Sequence, residues 1–299
     1  MALIAFGSAK ASPGVTTTVA ALAATWPDER ALLVAELDPS GGDLASRFAL
    51  RPDPGLVSLA AAGRRDLSPD VVLAHTQALP AVGGQLLEHR RALVAPAAAD
   101  QAHACLVAIR ARLAPTLAAL DGTDVLVDCG RLDPGSPALG LLVVADLVVV
   151  VVRPVVGEIE HLRARVAALG LTAAGVVTIG ERPYPVREVA DVVGTDALVS
   201  LPDDARAASA LRGEHPDGVR VLRRSRLVRA AASLAEALAN LRGEGPPAVV
   251  EVRAGPEPAP ALSAAPAPPP DRRSWSVPAR SPDRAVGASA PVPRGDGGR

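Results

Sequence analysis

The sequence predicts a doubly wound α/β domain with a mainly parallel sheet, followed by a disordered C-terminal tail. Three observations predict it. Short apolar runs alternate with helical patterns through most of the chain, the arrangement that builds successive βαβ units. Most of these runs are solid, without polar alternation, as expected when helices cover both faces of a sheet. Near Gly243 the composition changes sharply, and Pro, Ala, Gly and Arg take over to the end.

Taken in order, the first expected strand is Leu3–Gly7, followed by a loop of small residues and a helix over Thr16–Trp26. A second strand, Ala31–Leu37, precedes helices over Leu56–Ala62 and Pro69–Gln77. Arg91–Ala95 and Asp124–Asp128 are strands on either side of a long helix, Asp100–Leu120. The longest apolar stretch, Ala138–Val152, is interrupted by Asp146 and ends in five valines. β-branched residues in that number suit a buried strand, Leu147–Val152, better than a membrane helix. Helix Val156–Ala168, strand Ala173–Ile179, helix Val186–Val192, strand Ala197–Ser200 and helix Asp203–Leu211 continue the alternation. A last helix spans Val221–Leu241, with Leu227, Ala231, Leu234, Leu238 and Leu241 at helical spacing. Residues 1–242 are therefore expected to form one domain, and 243–299 a tail too poor in large apolar side chains to offset its ordering entropy. Trp275 reads as an inert tail residue or a short contact motif, and the Gly83-Gly84 pair as a turn.

Composition narrows the function. With 49% hydrophobic residues but only 2% aromatic, the core must be aliphatic. A net charge of −1 gives no global argument for a nucleic-acid or membrane partner. The N-terminus has no positive region before its short apolar run, so it is not expected to be a signal peptide. Cys105 and Cys129, far apart and flanked by apolar residues, read as small buried hydrophobes in a reducing compartment. A cytoplasmic location follows as the expectation. The five histidines share no spacing and receive no role.

Ligands of such sheets bind beyond the carboxyl ends of the strands, which directs attention to three loops. The first reads Gly7-Ser8-Ala9-Lys10-Ala11-Ser12-Pro13-Gly14-Val15-Thr16-Thr17-Thr18 and leads into a helix. Strand, small-residue loop and helix start together form an anion site. Lys10 is the sole lysine in the chain. The second loop contains Glu36-Leu37-Asp38-Pro39-Ser40-Gly41-Gly42. Taken alone it is either a turn without chemistry or a carboxylate placed to orient water. The third, Val125-Leu126-Val127-Asp128-Cys129-Gly130, is an apolar strand ending in a carboxylate.

In this order the three loops resemble those of the MinD/ParA family of P-loop ATPases, over roughly Leu3 to Leu211. On the family's K-G-G-x-G-K-[ST]-[ST] loop, Lys10 matches the signature lysine, Gly14 the late glycine, and Thr16 and Thr17 the hydroxyl pair. Ala11 and Ser12 replace two glycines, Pro13 precedes Gly14, and Val15 stands where the family has its phosphate-loop lysine. Asp38 matches the aspartate that positions the attacking water, and Asp128 resembles the carboxylate of the Walker B motif. The resemblance implies ATP and Mg²⁺ as cofactors. It places Gly14, Val15, Thr16 and Thr17 at the phosphates, Thr16 and Asp128 toward the metal, and Lys10 and Asp38 in the catalytic roles. Gly175–Gly180 falls where the family reads adenine but lacks its asparagine, and Pro202 lies in a loop like the family's base-contacting one. Arg182 is either a base-stacking residue or a solvated one.

The resemblance further implies a homodimer in which Lys10 serves the partner's site, with ATP hydrolysis slowed by the loss of the lysine at Val15. Three functions compete: a nucleotide-dependent switch positioning DNA, division or secretion machinery; a degenerate scaffold that dimerises without nucleotide; and a ligase-type enzyme of the same superfamily. Arg220, Arg223, Arg224, Arg226 and Arg229 cluster at the start of the last helix. They are either solvated or a patch for DNA or anionic lipid, which would hold the protein peripherally at a membrane.

Overall fold

The computed structural model describes residues 1–10, 13–80, 86–171, 173–215 and 217–241. The tail, Trp275, the Gly83-Gly84 pair, Ala11 and Ser12 lie outside them. The strands are β1 (Leu3–Ser8), β2 (Ala31–Glu36), β3 (Gln77–Pro80), β4 (Leu86–Leu93), β5 (Thr123–Arg131), β6 (Leu147–Val152), β7 (Ala174–Ile179) and β8 (Asp196–Leu201). They form one sheet in the order β3-β4-β2-β5-β1-β6-β7-β8. Every pairing is parallel except that of β3 with β4.

Helices α1 (Val15–Thr25), α9 (Ala205–Leu211) and α11 (Arg226–Ala239) cover one face of the sheet. The other face is covered by α3 (Leu56–Ala62), α5 (Ala99–Ala118), α6 (Leu139–Val144), α7 (Val156–Leu169) and α8 (Val186–Val193). The solid apolar runs follow from this layering. In β6, Val148, Val150 and Val152 pack into one core while Leu147, Val149 and Val151 pack into the other. The strand must be apolar at every position because both of its sides leave water.

Buried polar groups pin the layers together. Asp124, 1% exposed, accepts the Ala2 N–H at 2.9 Å, Trp26 Nε1–H at 3.2 Å and two bonds from Arg30. Arg90, 2% exposed, caps the end of α1 by donating to the carbonyls of Ala23 and Trp26. These are acceptors a helix C-terminus leaves unsatisfied.

The structure departs from the expected elements in several places, among them the strand expected over Arg91–Ala95, which is β4 and runs Leu86–Leu93. The strand expected over Leu147–Val152 is β6, but it is preceded by α6, which was not expected; between them Asp146 clasps Leu3: its carboxylate accepts the Leu3 N–H at 2.7 Å, and its own N–H donates to the Leu3 carbonyl at 2.8 Å. The helix expected over Pro69–Gln77 is α4 (Pro69–Ala74) and stops early. Thr76 turns its hydroxyl onto the Leu73 carbonyl, and Gln77 begins β3. The helix expected over Val221–Leu241 is two, α10 (Gly218–Arg224) and α11. Ser225 adopts an extended ψ of 138°, caps α11 by accepting the Val228 N–H at 3.2 Å, and donates to Asp204 at 2.9 Å. The break divides the arginine cluster between two helices, with all five side chains exposed. A short helix, α2 (Leu44–Arg47), was not expected at all.

Candidate functional site

The chain passes from β1 into α1 through a loop that ends in a glycine for steric reasons. Gly14 has φ 113° and ψ 27°, a left-handed conformation that side chains with a Cβ rarely adopt. Its carbonyl accepts the Thr18 N–H at 2.8 Å, which starts the helix. The N–H groups of Val15, Thr16 and Thr17 then have no intrahelical acceptor, and no side chain among the described residues caps them. Free donors and the helix dipole turn this end of α1 into an anion site. It opens into a cleft of about 620 Å³ at the carboxyl end of the sheet.

Strand order brings the second and third loops to the same place. β5 lies between β1 and β2, and Asp128 pairs in register with Phe6 on one side and Glu36 on the other. The loop after β2 therefore folds over the end of β5. Asp38 lines the cleft, and one of its carboxylate oxygens accepts the Ser40 N–H at 2.7 Å. The carboxylate lies in the space a side chain on Gly130 would take: a Cβ there would come within 2.0 Å of Asp38 Cγ. Burial raises the Asp38 pKa, and the neighbouring charges of Asp43 and Asp133 add to it.

Asp128 lies beneath the cleft and is fully buried. Its Oδ1 accepts the Gly130 N–H at 2.9 Å, but Oδ2 has no hydrogen-bond partner among the described residues. Burial pushes its pKa up to about 6; the nearby Thr16 hydroxyl and the Gly130 N–H oppose the rise. Thr16 is thus close enough to favour the charged carboxylate without closing a hydrogen bond to Oδ2. An orphaned carboxylate oxygen beside a threonine hydroxyl fits Mg²⁺. No three His, Cys, Asp or Glu side chains converge on a metal among the described residues. A Mg²⁺ here would take its remaining oxygens from phosphates and water, as this ion commonly does.

Glu36 has a structural task. Its carboxylate, 1% exposed, accepts N–H bonds from Asp43 at 2.6 Å, Leu44 at 2.8 Å and Ala95 at 2.9 Å. Burial pushes its pKa up to about 7 despite these three donors. It ties the start of α2 to the sheet, and Gly42 has no room for a side chain because Glu36 fills it.

Gly14, Val15, Thr16, Thr17, Asp38 and Pro202 all line the one cleft. Pro202 lines it with the apolar Ile179 and Leu227, and so do Arg153 and Asp203, paired at 2.8 Å. Lys10 is exposed and does not line the cleft, although its carbonyl accepts the Ser8 hydroxyl at 2.7 Å. Arg182 is likewise exposed and off the cleft. Arg220, Arg223 and Arg224 line a separate depression. Sequence reasoning missed Arg47, Arg131, Asp133 and Arg153, all of which line the cleft. None stands in a recognisable pattern, and only the fold brings them in.

A mainly parallel sheet with a glycine-ended loop after its first strand, and acidic residues from two neighbouring strands beside it, is the P-loop type of fold. Within that class the architecture is that of the ParA and MinD ATPases. The ParA family ATPase of Chlorobium tepidum superposes with a TM-score of 0.64 at 16% identity, over 79% of this chain and 98% of that one. The septum site-determining protein MinD of Pyrococcus horikoshii, solved with Mg-ADP, gives 0.63 at 18% identity, over 80% and 96%. Cobyrinic acid a,c-diamide synthase of Mycobacterium smegmatis, solved with an ATP analogue and magnesium, gives 0.50 at 22% identity, over 80% and 94%. No protein-family model matches the chain, and no curated protein sequence does.

Proposed function

We propose that residues 1–242 form an ATP-binding, dimeric switch that positions DNA, division or secretion machinery and hydrolyses ATP slowly, with 243–299 as its flexible tail. One observation carries this reading: Asp38 and the orphaned Asp128 meet at the open N-terminus of α1, the place where a nucleotide's phosphates would lie. The N–H groups of Gly14 through Thr17 bind phosphate oxygens. Thr16 and Asp128 hold Mg²⁺, which when bound draws charge from the phosphates. Asp38 orients the attacking water, and Pro202 with Ile179 packs against the base. The solved structures with Mg-ADP and with an ATP analogue support the choice of cofactors.

Slow turnover follows from Val15. A lysine there would place charge on the phosphates undergoing transfer; losing one preorganised group of this kind costs on the order of 10²–10³ in rate. Lys10, exposed and outside the cleft, is free to reach a partner subunit's site. Sedimentation of the full chain with Mg-ATP, Mg-ADP or no nucleotide tests the switch. A dimer formed with ATP alone is expected; an unchanged mass in all three would refute it.

A second reading has its own observation. Val15 is only 6% exposed and packs into the core, while Pro13, at the cleft, has no N–H to give. Both features favour a degenerate scaffold that dimerises without nucleotide, and that reading predicts a dimer under all three conditions.

A further inference from the structure

The loop that should carry a phosphate-binding lysine carries a buried valine, yet the cleft is not without a cation in its floor. Arg47, the last residue of α2, is 8% exposed in its side chain and lines the cleft. Its guanidinium reaches the first turn of α1, with NH1 3.5 Å from Thr17 Oγ1. NH2 meets the Asp43 carboxylate at 3.2 Å, and Asp43 is itself 66% exposed. Nε is buried and has no partner among the described residues. An arginine this buried normally has its donors satisfied. Here one is orphaned and another has only a contact at the limit of hydrogen-bond length.

The position of Arg47 is built in. Glu36 holds the N–H groups of Asp43 and Leu44, which sets the start of α2. The Arg47 N–H donates to the Asp43 carbonyl at 2.9 Å, and the turn at Gly213 packs within reach of the Arg47 carbonyl. The other cleft-lining arginines are differently disposed: Arg131, Arg153 and Arg212 are each at least 39% exposed and paired at 2.7–2.8 Å with Asp133, Asp203 and Glu214. Arg47 is the buried one, and it faces the same helix turn as the free N–H groups.

We propose that Arg47 supplies, within the same subunit, the cation that binds the nucleotide's phosphates where Val15 has displaced the usual lysine. The assignment rests on the nucleotide reading above and adds a specific residue to it. A planar guanidinium with an unused donor suits phosphate oxygens. The Asp43 carboxylate holds it until the ligand arrives, so Asp43 competes with phosphate for NH2.

Calorimetry of the full chain with Mg-ATP and with inorganic tripolyphosphate, which lacks the base, tests this. Arg47→Met keeps the stem and removes the charge. It is expected to weaken both ligands about 10- to 100-fold, the range for losing one charged hydrogen-bonding group. Arg47→Lys should recover part of the loss, and Val15→Lys in the Arg47→Met background should recover part of it too. Asp43→Asn gives a test that does not depend on the fold tolerating a change at Arg47. It should tighten tripolyphosphate several-fold, and by more than Asp133→Asn, which removes an equal charge from the cleft beside Arg131. Wild-type binding left within twofold by Arg47→Met, or equal gains from Asp43→Asn and Asp133→Asn, would overturn the assignment of Arg47 and leave the nucleotide reading standing. A folded wild-type chain that binds neither ligand would overturn both.

Discussion

Replacing Gly130 by alanine puts the geometry of the acidic pair to a quantitative test. Gly130 has φ +59°, and an added Cβ would lie 2.0 Å from Asp38 Cγ and 2.1 Å from Oδ2. Two costs follow. The left-handed backbone conformation costs an alanine roughly 1 kcal/mol. The overlap is far inside contact distance, so Asp38 must swing away and lose its 2.7 Å bond from the Ser40 N–H, worth about 1 kcal/mol more. Gly122→Ala is the matched control: its φ is +67°, and nothing lies within 4 Å of the added Cβ. Urea unfolding should show Gly130→Ala destabilised by about 2 kcal/mol and Gly122→Ala by about half of that. If Asp38 orients the attacking water, Gly130→Ala should also lower ATP turnover on the order of 10²-fold while nucleotide affinity changes little. Equal stability losses in the two variants would refute the claim that Asp38 packs into the space that Gly130 leaves.

Other consequences are as direct. Burial pushes the Glu36 and Asp128 carboxyls up to about 7 and about 6, above the usual carboxylate range. The fold therefore binds more protons than the unfolded chain between about pH 4 and 7, and stability falls as pH rises through that window. With EDTA present, Tm should be higher at pH 6 than at pH 8, and Glu36→Gln should flatten the difference; for Glu36 alone the effect is about 1 kcal/mol between those two pH values, out of about 3 kcal/mol over the whole window. Asp124→Ala strands buried donors on Trp26, Ala2 and Arg30 and should cost about 3 kcal/mol by chemical denaturation; a change under 1 kcal/mol would contradict the role given to that carboxylate. Lys10→Ala should leave Tm unchanged, because the side chain is exposed, but abolish ATP-dependent dimerisation in light scattering. Dimerisation that survives the substitution would remove Lys10 from the partner's site.

How far the sequence could be read depended on whether local pattern or long-range placement set each feature. The parallel strands were legible because burial on both faces leaves a solid apolar run, as the valines of β6 show. Asp38 and Asp128 were legible because each lies at the end of such a run, and Gly14 because it ends a loop of small residues just before a helix; strand order did the rest. β3 escaped because it is four residues long, Gln77–Pro80, with no run of its own. The break at Ser225 escaped because apolar spacing continues through it; only its extended backbone and the bond to Asp204 end α10 there. Arg47 carried no signal. Its place in the cleft depends on the buried Glu36 carboxylate, which ties the start of α2 to the end of β2 and to Ala95, and no residue pattern marks Glu36 for that task.

The account stands on the cleft at the end of α1 being a nucleotide site. Titrating the folded full chain with ATP in Mg²⁺ by calorimetry measures this directly. Saturable binding at one site per chain, weakened when Mg²⁺ is replaced by EDTA and when Asp128 is changed to Asn, is the predicted result. A flat titration from protein whose cooperative unfolding proves it native would contradict it.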